Sequence, residues 1–252
     1  MADDRDRLNE YLQQIDETQA QSRRTKSTDG RVRRVVKHAV PVSVRGTARM
    51  RLTDAVRPLQ RRRARRIAAG AEPLRLHLGS GGEPKAGWVN VDFVGDPVEL
   101  AWNLAHGIPF ADASVEAIFH EHLLEHISLT DGARFMDEAF RVLQPGGILR
   151  IGVPDAGELV TSYGGDGTYL EGLHPGRPTK MLALQELFYW HRHMTMYDTE
   201  TLALLFRAAG FPEPQQRKFG DTAFDVAPDT PRRETETLYM EASKPLGWSA
   251  GA

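Results

Sequence analysis

The 252-residue chain has no cysteine, and its 26 arginines leave room for only six lysines. It has no apolar run near the roughly 18 residues that a membrane-spanning helix needs. Without cysteine there is no disulfide framework, no thiolate metal site and no thiol nucleophile. The polar N-terminus does not read as a secretory signal, so a cytoplasmic protein without a membrane span is expected. Aromatic residues are also scarce at the start, where Tyr11 alone precedes Trp88. Little is available there to stack bases, and nucleic-acid binding is not expected.

The net charge of −2 conceals an asymmetry. Residues 1–70 hold 18 Lys and Arg against 8 Asp and Glu, a charge of +10, whereas residues 71–252 hold 14 against 26, a charge of −12. Two parts follow: a basic, partly helical N-terminal extension over 1–70 and a main domain over 71–252. Asp6 to Gln21 carries Leu8, Tyr11, Leu12 and Ile15 at helical spacing, a narrow stripe that makes a homodimer conceivable. Arg23 to Arg66 is arginine-dense and ends in RRRARR. Such a segment suits either an arm packed on the domain or peripheral contact with an anionic membrane or acidic partner.

Leu74 to Phe93 reads LRLHLGSGGEPKAGWVNVDF, an apolar run, a glycine turn and a second apolar run closing on Asp92. Gly79, Gly81 and Gly82 remove side chains where a backbone must bend and approach a ligand, and a carboxylate at a strand end can accept ribose hydroxyls. A dinucleotide fingerprint would place its acid about 20 residues on, after a helix. Here Asp92 follows too soon for that. The GxxxxGK[ST] of a phosphate loop is absent as well.

Apolar runs at Leu74 to Leu78, Val89 to Phe93, Ala117 to Phe119 and Ile148 to Val153 read as parallel strands buried on both faces. Asp131 to Leu143 has helical spacing, with Pro145-Gly146-Gly147 as its terminator, and Thr199 to Ala209 is a helix capped by Asp198. Gln215 to Phe219 and Thr235 to Ala242 can pair as two final strands. The fold class is α/β.

Five motifs stand in order: LHLGSG (Leu76 to Gly81), GWVNVD (Gly87 to Asp92), NLAHGIPF (Asn103 to Phe110), EHLLEHI (Glu121 to Ile127) and VLQPGGILRIGVPD (Val142 to Asp155). With them, Leu74 to Ala242 resembles class I S-adenosylmethionine (SAM) methyltransferases. Within that class it is similar to a type-11-like branch associated with polysaccharide and sugar-conjugate biosynthesis, including mycobacterial-type polysaccharide O-methyltransferases. The arginine excess is compatible with a high-GC genome. The resemblance implies a Rossmann-like sheet, mostly parallel with an antiparallel C-terminal strand. It places Gly79, Ser80 and Gly81 in the SAM turn, Asp92 on the ribose, and Asn103 with Leu104 beside the adenine. Two positions depart from the pattern. His77 stands where most such enzymes keep an acid near the methionine end, and Asn103 replaces the usual Asp.

Transfer of a methyl group to a hydroxyl requires removal of a proton, and histidine titrates in the right range. His120 and His122 follow the Ala117 to Phe119 run at the expected cleft mouth, His120 toward the cofactor and His122 as candidate base. A packed or capping role for His122 is the alternative. His126 is expected to pack. His193, ahead of Tyr197-Asp198, can bind the acceptor or act as base. Asp155 either caps the next turn, binds acceptor hydroxyls, or holds Mg²⁺ with Glu158 or Asp166. Residues 156–195, rich in glycine and aromatic residues, read as a flexible lid, with Tyr163, Tyr169, Arg177 and Trp190 as acceptor contacts. The expected reaction is O-methylation of a saccharide or another small sugar-containing acceptor. A natural-product phenol or amine acceptor and a non-catalytic scaffold are the alternatives.

Overall fold

The computed structural model describes residues 42–70, 73–95, 97–189 and 192–248. The Asp6 to Gln21 stripe, residues 23–41 of the arginine-dense segment, Trp190 and His191 lie outside the described residues. Two helices come first, α1 (Val42–Ala55) and α2 (Arg57–Gly70). They are followed by β1 (Arg75–Leu78), β2 (Val89–Asp92), β3 (Leu100–Ala101) and β4 (Val115–Glu121). Then come helix α3 (Leu129–Val142) and β5 (Leu143–Pro154). Helices α4 (Ala156–Gly164), α5 (Thr168–Leu173), α6 (Lys180–Tyr189) and α7 (Thr199–Ala208) precede β6 (Gln215–Arg217) and β7 (Thr237–Ser243). Among the described residues no helix is long and apolar enough to cross a membrane.

The strands form one sheet in the order β3-β2-β1-β4-β5-β7-β6, with β7 antiparallel to both of its neighbours and every other pairing parallel. This is the expected Rossmann-like sheet, mostly parallel with an antiparallel C-terminal strand. The chain runs outward from β1 to β3 and then returns to lay β4 on the other side of β1. The carboxyl ends of β1 and β4 thus flank a topological switch point, where open α/β sheets bind ligands. Leu76, Leu78, Val91, Ile118 and Leu149 are fully buried, as strands covered on both faces require.

Helix α3 begins at Ser128, whose Oγ accepts the N–H of Asp131 at 3.1 Å, and it buries Phe135, Met136, Ala139 and Phe140. It ends at Val142, three residues before Pro145-Gly146-Gly147, so the proline and glycines do not terminate it. Leu143 is already extended and pairs with Val115, and the register then shifts before Ala117 pairs with Ile148. The glycines serve that irregularity: a Cβ on Gly147 would stand 3.0 Å from the Glu116 carbonyl. Strand β3, only two residues long, has too little pattern for a period-two signal.

Residues 156–189 are helical in three pieces, α4, α5 and α6. They share a small core of Leu159, Leu170, Ala183 and Leu187, with Tyr169, Leu173, Leu184 and Met196 packed against it. The segment expected as a flexible lid therefore has its own apolar interior.

Arg150, in β5, is wholly buried. Its guanidinium donates to both carboxylate oxygens of Asp229 (2.7 and 2.6 Å), to Glu241 (3.1 Å) and to the carbonyls of Asp221 and Lys218. One cation thereby ties the loop between β6 and β7 to the sheet. Arg150→Met leaves two buried carboxylates without their partner and should cost about 3–5 kcal/mol, read from the denaturant midpoint.

Strand β4 runs two residues past the apolar run, which places His120 inside the sheet, edge-on to Phe135 at 5.2 Å between centroids. Burial, with a smaller contribution from nearby His77, holds His120 down to about 3. The folded state therefore requires a neutral ring. Stability is full above the ordinary value of 6.5 and falls as pH drops from there toward 3, by up to about 5 kcal/mol. His120→Leu should flatten this acid limb in equilibrium unfolding measured at stepped pH, and an unchanged limb would exclude the assignment.

Candidate functional site

The chain leaves β1 through a turn held to β2, because the N–H groups of Gly79 and Ser80 both donate to the Val91 carbonyl, at 2.8 and 3.2 Å. Gly79 (φ +67°) could carry no side chain, since a Cβ would lie 2.9 Å from Leu123 Cδ1. Gly81 (φ +54°) differs: its Cβ would meet nothing within 4 Å. Packing demands the first glycine, and the second leaves an open approach to the backbone. Asp92, at the end of β2, accepts the Gly81 N–H at 2.8 Å through Oδ2 and the Phe93 N–H at 2.6 Å through Oδ1. An open glycine face beside an anchored acceptor fits a ribose-bearing donor. The Ser80 Oγ is buried within the turn without a hydrogen-bond partner.

The adenine-side candidates lie past β3. The Asn103 Oδ1 accepts the Ala105 N–H at 3.1 Å and so caps a 3₁₀ turn over Leu104–His106. Its amide donates to Asp54 at 3.1 Å, and His106 Nε2 lies 2.9 Å from the same oxygen. Leu104 packs against the main core. Asp54 belongs to α1, which also sends Arg49 to the Val94 and Phe93 carbonyls and takes the Val94 N–H on Thr53 Oγ1. Arg61, first of the RRRARR run, lies 5.9 Å from the centre of the Trp102 ring. The helices before residue 71 thus pack on the loops that carry Asp92 and Asn103.

Two histidines expected at the cofactor are in the interior instead. His77 is buried, with Nδ1 2.9 Å from Asn90 Oδ1 and its ring stacked on Phe119, and burial holds it down to about 4. His120 is fully buried and neither ring nitrogen has a hydrogen-bond partner. Coverage of the sheet on both faces, rather than a cleft, decides both positions.

His122 is placed differently. It follows β4 at φ +53°, a conformation uncommon outside glycine, while its N–H donates to the Gly152 carbonyl at 2.9 Å. Its Nε2 lies 2.9 Å from Thr237 Oγ1 and 3.8 Å from Glu236, and its Nδ1 lies 3.4 Å from Glu125 Oε1. The next residue, Leu123, is the one that abuts Gly79. A 3₁₀ turn over Leu124–His126 then sets Glu125 inward and leaves His126 half-exposed.

A distant segment completes this group. The N–H groups of Met194 and Thr195 donate to the Glu125 carbonyl at 2.7 and 3.3 Å, and Thr195 Oγ1 donates to the Ile127 carbonyl at 3.2 Å. That strap brings His193 to 3.9 Å from Glu125 Oε1 and edge-on to His126. The two candidate bases, His122 and His193, therefore flank one carboxyl group. Burial pushes Glu125 up to about 8.

Asp155, at the end of β5, caps α4 by accepting the Glu158 N–H at 3.0 Å, and it bridges to Tyr197. Glu158 is exposed. Among the described residues these two carboxylates have no third ligand to form a metal group, whereas Glu125, His126 and His193 do group. Tyr169 lies half-buried near them. Burial and the negative charges of Asp155, Glu158 and Glu236 raise its phenol above the ordinary value. Tyr163 is exposed on α4, and Arg177 is held by Glu186 through two bonds of 2.8 and 2.9 Å. The Arg177 guanidinium thus braces α6 from the loop after α5.

Glu125, Glu236 and Thr237 were not singled out by sequence reasoning. The signal for Glu125 was a carboxylate three residues after His122 with leucines on its N-terminal side. Nothing local marks Glu236 and Thr237, which reach the site because β7 pairs with β5.

Residues 86–151 match the family model described as a methyltransferase domain. Over 118 residues the chain is 33% identical to a probable S-adenosylmethionine-dependent methyltransferase of Mycolicibacterium smegmatis, covering 47% of this chain and 42% of that protein. Over 136 residues it is 31% identical to the ubiquinone/menaquinone biosynthesis C-methyltransferase UbiE of Desulfotalea psychrophila, covering 50% and 52%. The chain spans about half the length of the curated relatives it matches. A solved SAM-dependent methyltransferase from Archaeoglobus fulgidus aligns over 75% of this chain and 94% of its own at 14% identity and a TM-score of 0.43. The sequence matches and the strand order together support a class I SAM-dependent methyltransferase domain in this chain.

Proposed function

We propose that the chain is a SAM-dependent O-methyltransferase acting on a hydroxyl of a saccharide or sugar-containing metabolite. The observation that carries this reading is the contact of Leu123 with Gly79, which sets the donor turn directly against the turn that bears His122. A methyl donor and a proton acceptor would share one rim of the sheet.

SAM, when bound, supplies a methyl carbon activated by its sulfonium. Asp92 would hold the ribose hydroxyls, the backbone at Gly81 would line the donor, and Asn103 with Leu104 would border the adenine. His122 would take the hydroxyl proton of the acceptor. With Glu125 and Glu236 on either side, that proton enters a group able to share it, which avoids an isolated buried charge. Tyr169 stays neutral at working pH and can donate to an acceptor oxygen, and Asp155 lies close by. Tyr163 and Phe188, exposed on the lid helices, offer flat faces suited to a sugar ring. Trp190 remains a candidate of the same kind. The C-methyltransferase named among the relatives makes a carbon acceptor the reading to be excluded.

Asp92→Ala should weaken SAM binding at least tenfold by calorimetry while the far-UV spectrum is retained. His122→Gln should lower kcat about 100- to 10,000-fold and leave SAM affinity within twofold. Labelled methyl recovered on a saccharide oxygen supports the acceptor assignment, and label recovered on carbon, nitrogen or a phenol overturns it.

A further inference from the structure

The proton-accepting role proposed for His122 leaves two further neighbours of the same Glu125 oxygen unexplained. Glu125 Oε1 lies 3.9 Å from His193 Nε2 and 4.0 Å from His126 Nε2, and the three donor atoms fall within 4.8 Å of one another. The carboxyl group is 1% exposed, and neither of its oxygens accepts a hydrogen bond from the described residues. A buried polar group in that condition is rare, and a bound ion or water is a standard explanation. The chemistry of the neighbours favours the ion. Two imidazoles and one carboxylate form a donor set used by zinc, whereas magnesium and calcium prefer oxygen ligands throughout.

The geometry is an open version of such a site. Zinc bonds of about 2.0–2.2 Å set tetrahedral ligands roughly 3.4 Å apart, so the three donors must close by about 0.5–1.4 Å. The His126 ring, 41% exposed, has room to supply most of that movement, and it gives the ion an entry path. The strap of Met194 and Thr195 onto the Glu125 carbonyl fixes the other two ligands against each other across 68 residues of sequence.

We propose that Glu125, His126 and His193 form a binding site for one divalent transition-metal ion of the zinc class, with Glu125 Oε1 and the Nε2 atoms of both histidines as ligands. Three protein donors leave the fourth tetrahedral position to a water or another small oxygen ligand. The site uses neither the donor turn nor Asp155 and Glu158, and it stands whether or not the methyl acceptor is a saccharide.

Zinc ion alone, titrated into the chelator-treated full chain, should bind at one equivalent and raise the thermal midpoint, as any ligand of the folded state does. His126→Ala removes a half-exposed side chain, so the fold persists. It should weaken zinc binding at least tenfold and abolish the thermal shift. The double variant His126→Ala, His193→Ala should lose saturable binding with an unchanged far-UV spectrum. Absence of saturable zinc binding by the wild type overturns the proposal, as does equal binding by the His126→Ala chain or displacement of zinc by equimolar magnesium. A parallel S-adenosylhomocysteine titration separates this outcome from failure of the methyltransferase reading.

Discussion

The close approach of Leu123 to Gly79 is the contact on which the candidate site depends. It exists because β4 returns to lie beside β1, so that the turns leaving both strands project from the same edge at neighbouring points. A side chain on Gly79 would collide with Leu123 Cδ1. Separating the two turns would part the Asp92–Gly81 cradle from His122.

Buried charge does the remaining positioning. Arg150 holds the loop over residues 218–229 onto β5 and β7 through Asp229 and Glu241. Glu121, next to His122, accepts from Tyr239 Oη at 2.6 Å and from the Thr230 N–H at 3.2 Å, which draws the end of the same loop toward the site. Such networks are costly to assemble in an apolar interior, and removing one partner is costlier still. They therefore specify geometry more than they add stability. Among the three helices after β5, the Arg177–Glu186 pair plays the same part, with His174 Nδ1 3.2 Å from Glu186.

Much of the scaffold is legible in the sequence. The runs at Leu74 to Leu78, Val89 to Phe93 and Ile148 to Val153 are strands because uninterrupted apolar residues in short blocks suit a sheet buried on both faces. Asp198 caps its helix as expected, accepting the Thr201 N–H at 2.8 Å. Two features depart from the local pattern for identifiable reasons. Pro145-Gly146-Gly147 resembles a helix terminator, but a bulged strand needs the same small residues. His77 was expected at the cofactor from the position where similar enzymes keep an acid, and His120 from its place at the end of an apolar run; the sheet is covered on both faces there, and burial keeps both rings neutral.

The amino-acid sequence by itself determined the α/β class, the strand-turn-strand unit from Leu74 to Asp92, and the presence of histidines and carboxylates near strand ends. These are properties of short segments, and period, glycine placement and capping express them locally. The tertiary structure decided which histidines meet. His122 and His193 are 71 residues apart and come to flank Glu125 because backbone hydrogen bonds from Met194 and Thr195 end on its carbonyl. Glu236 and Thr237 arrive by the antiparallel pairing of β7 with β5. Side chains that converge from separate elements leave no periodic signature, because their proximity is a consequence of sheet order and not of spacing along the chain.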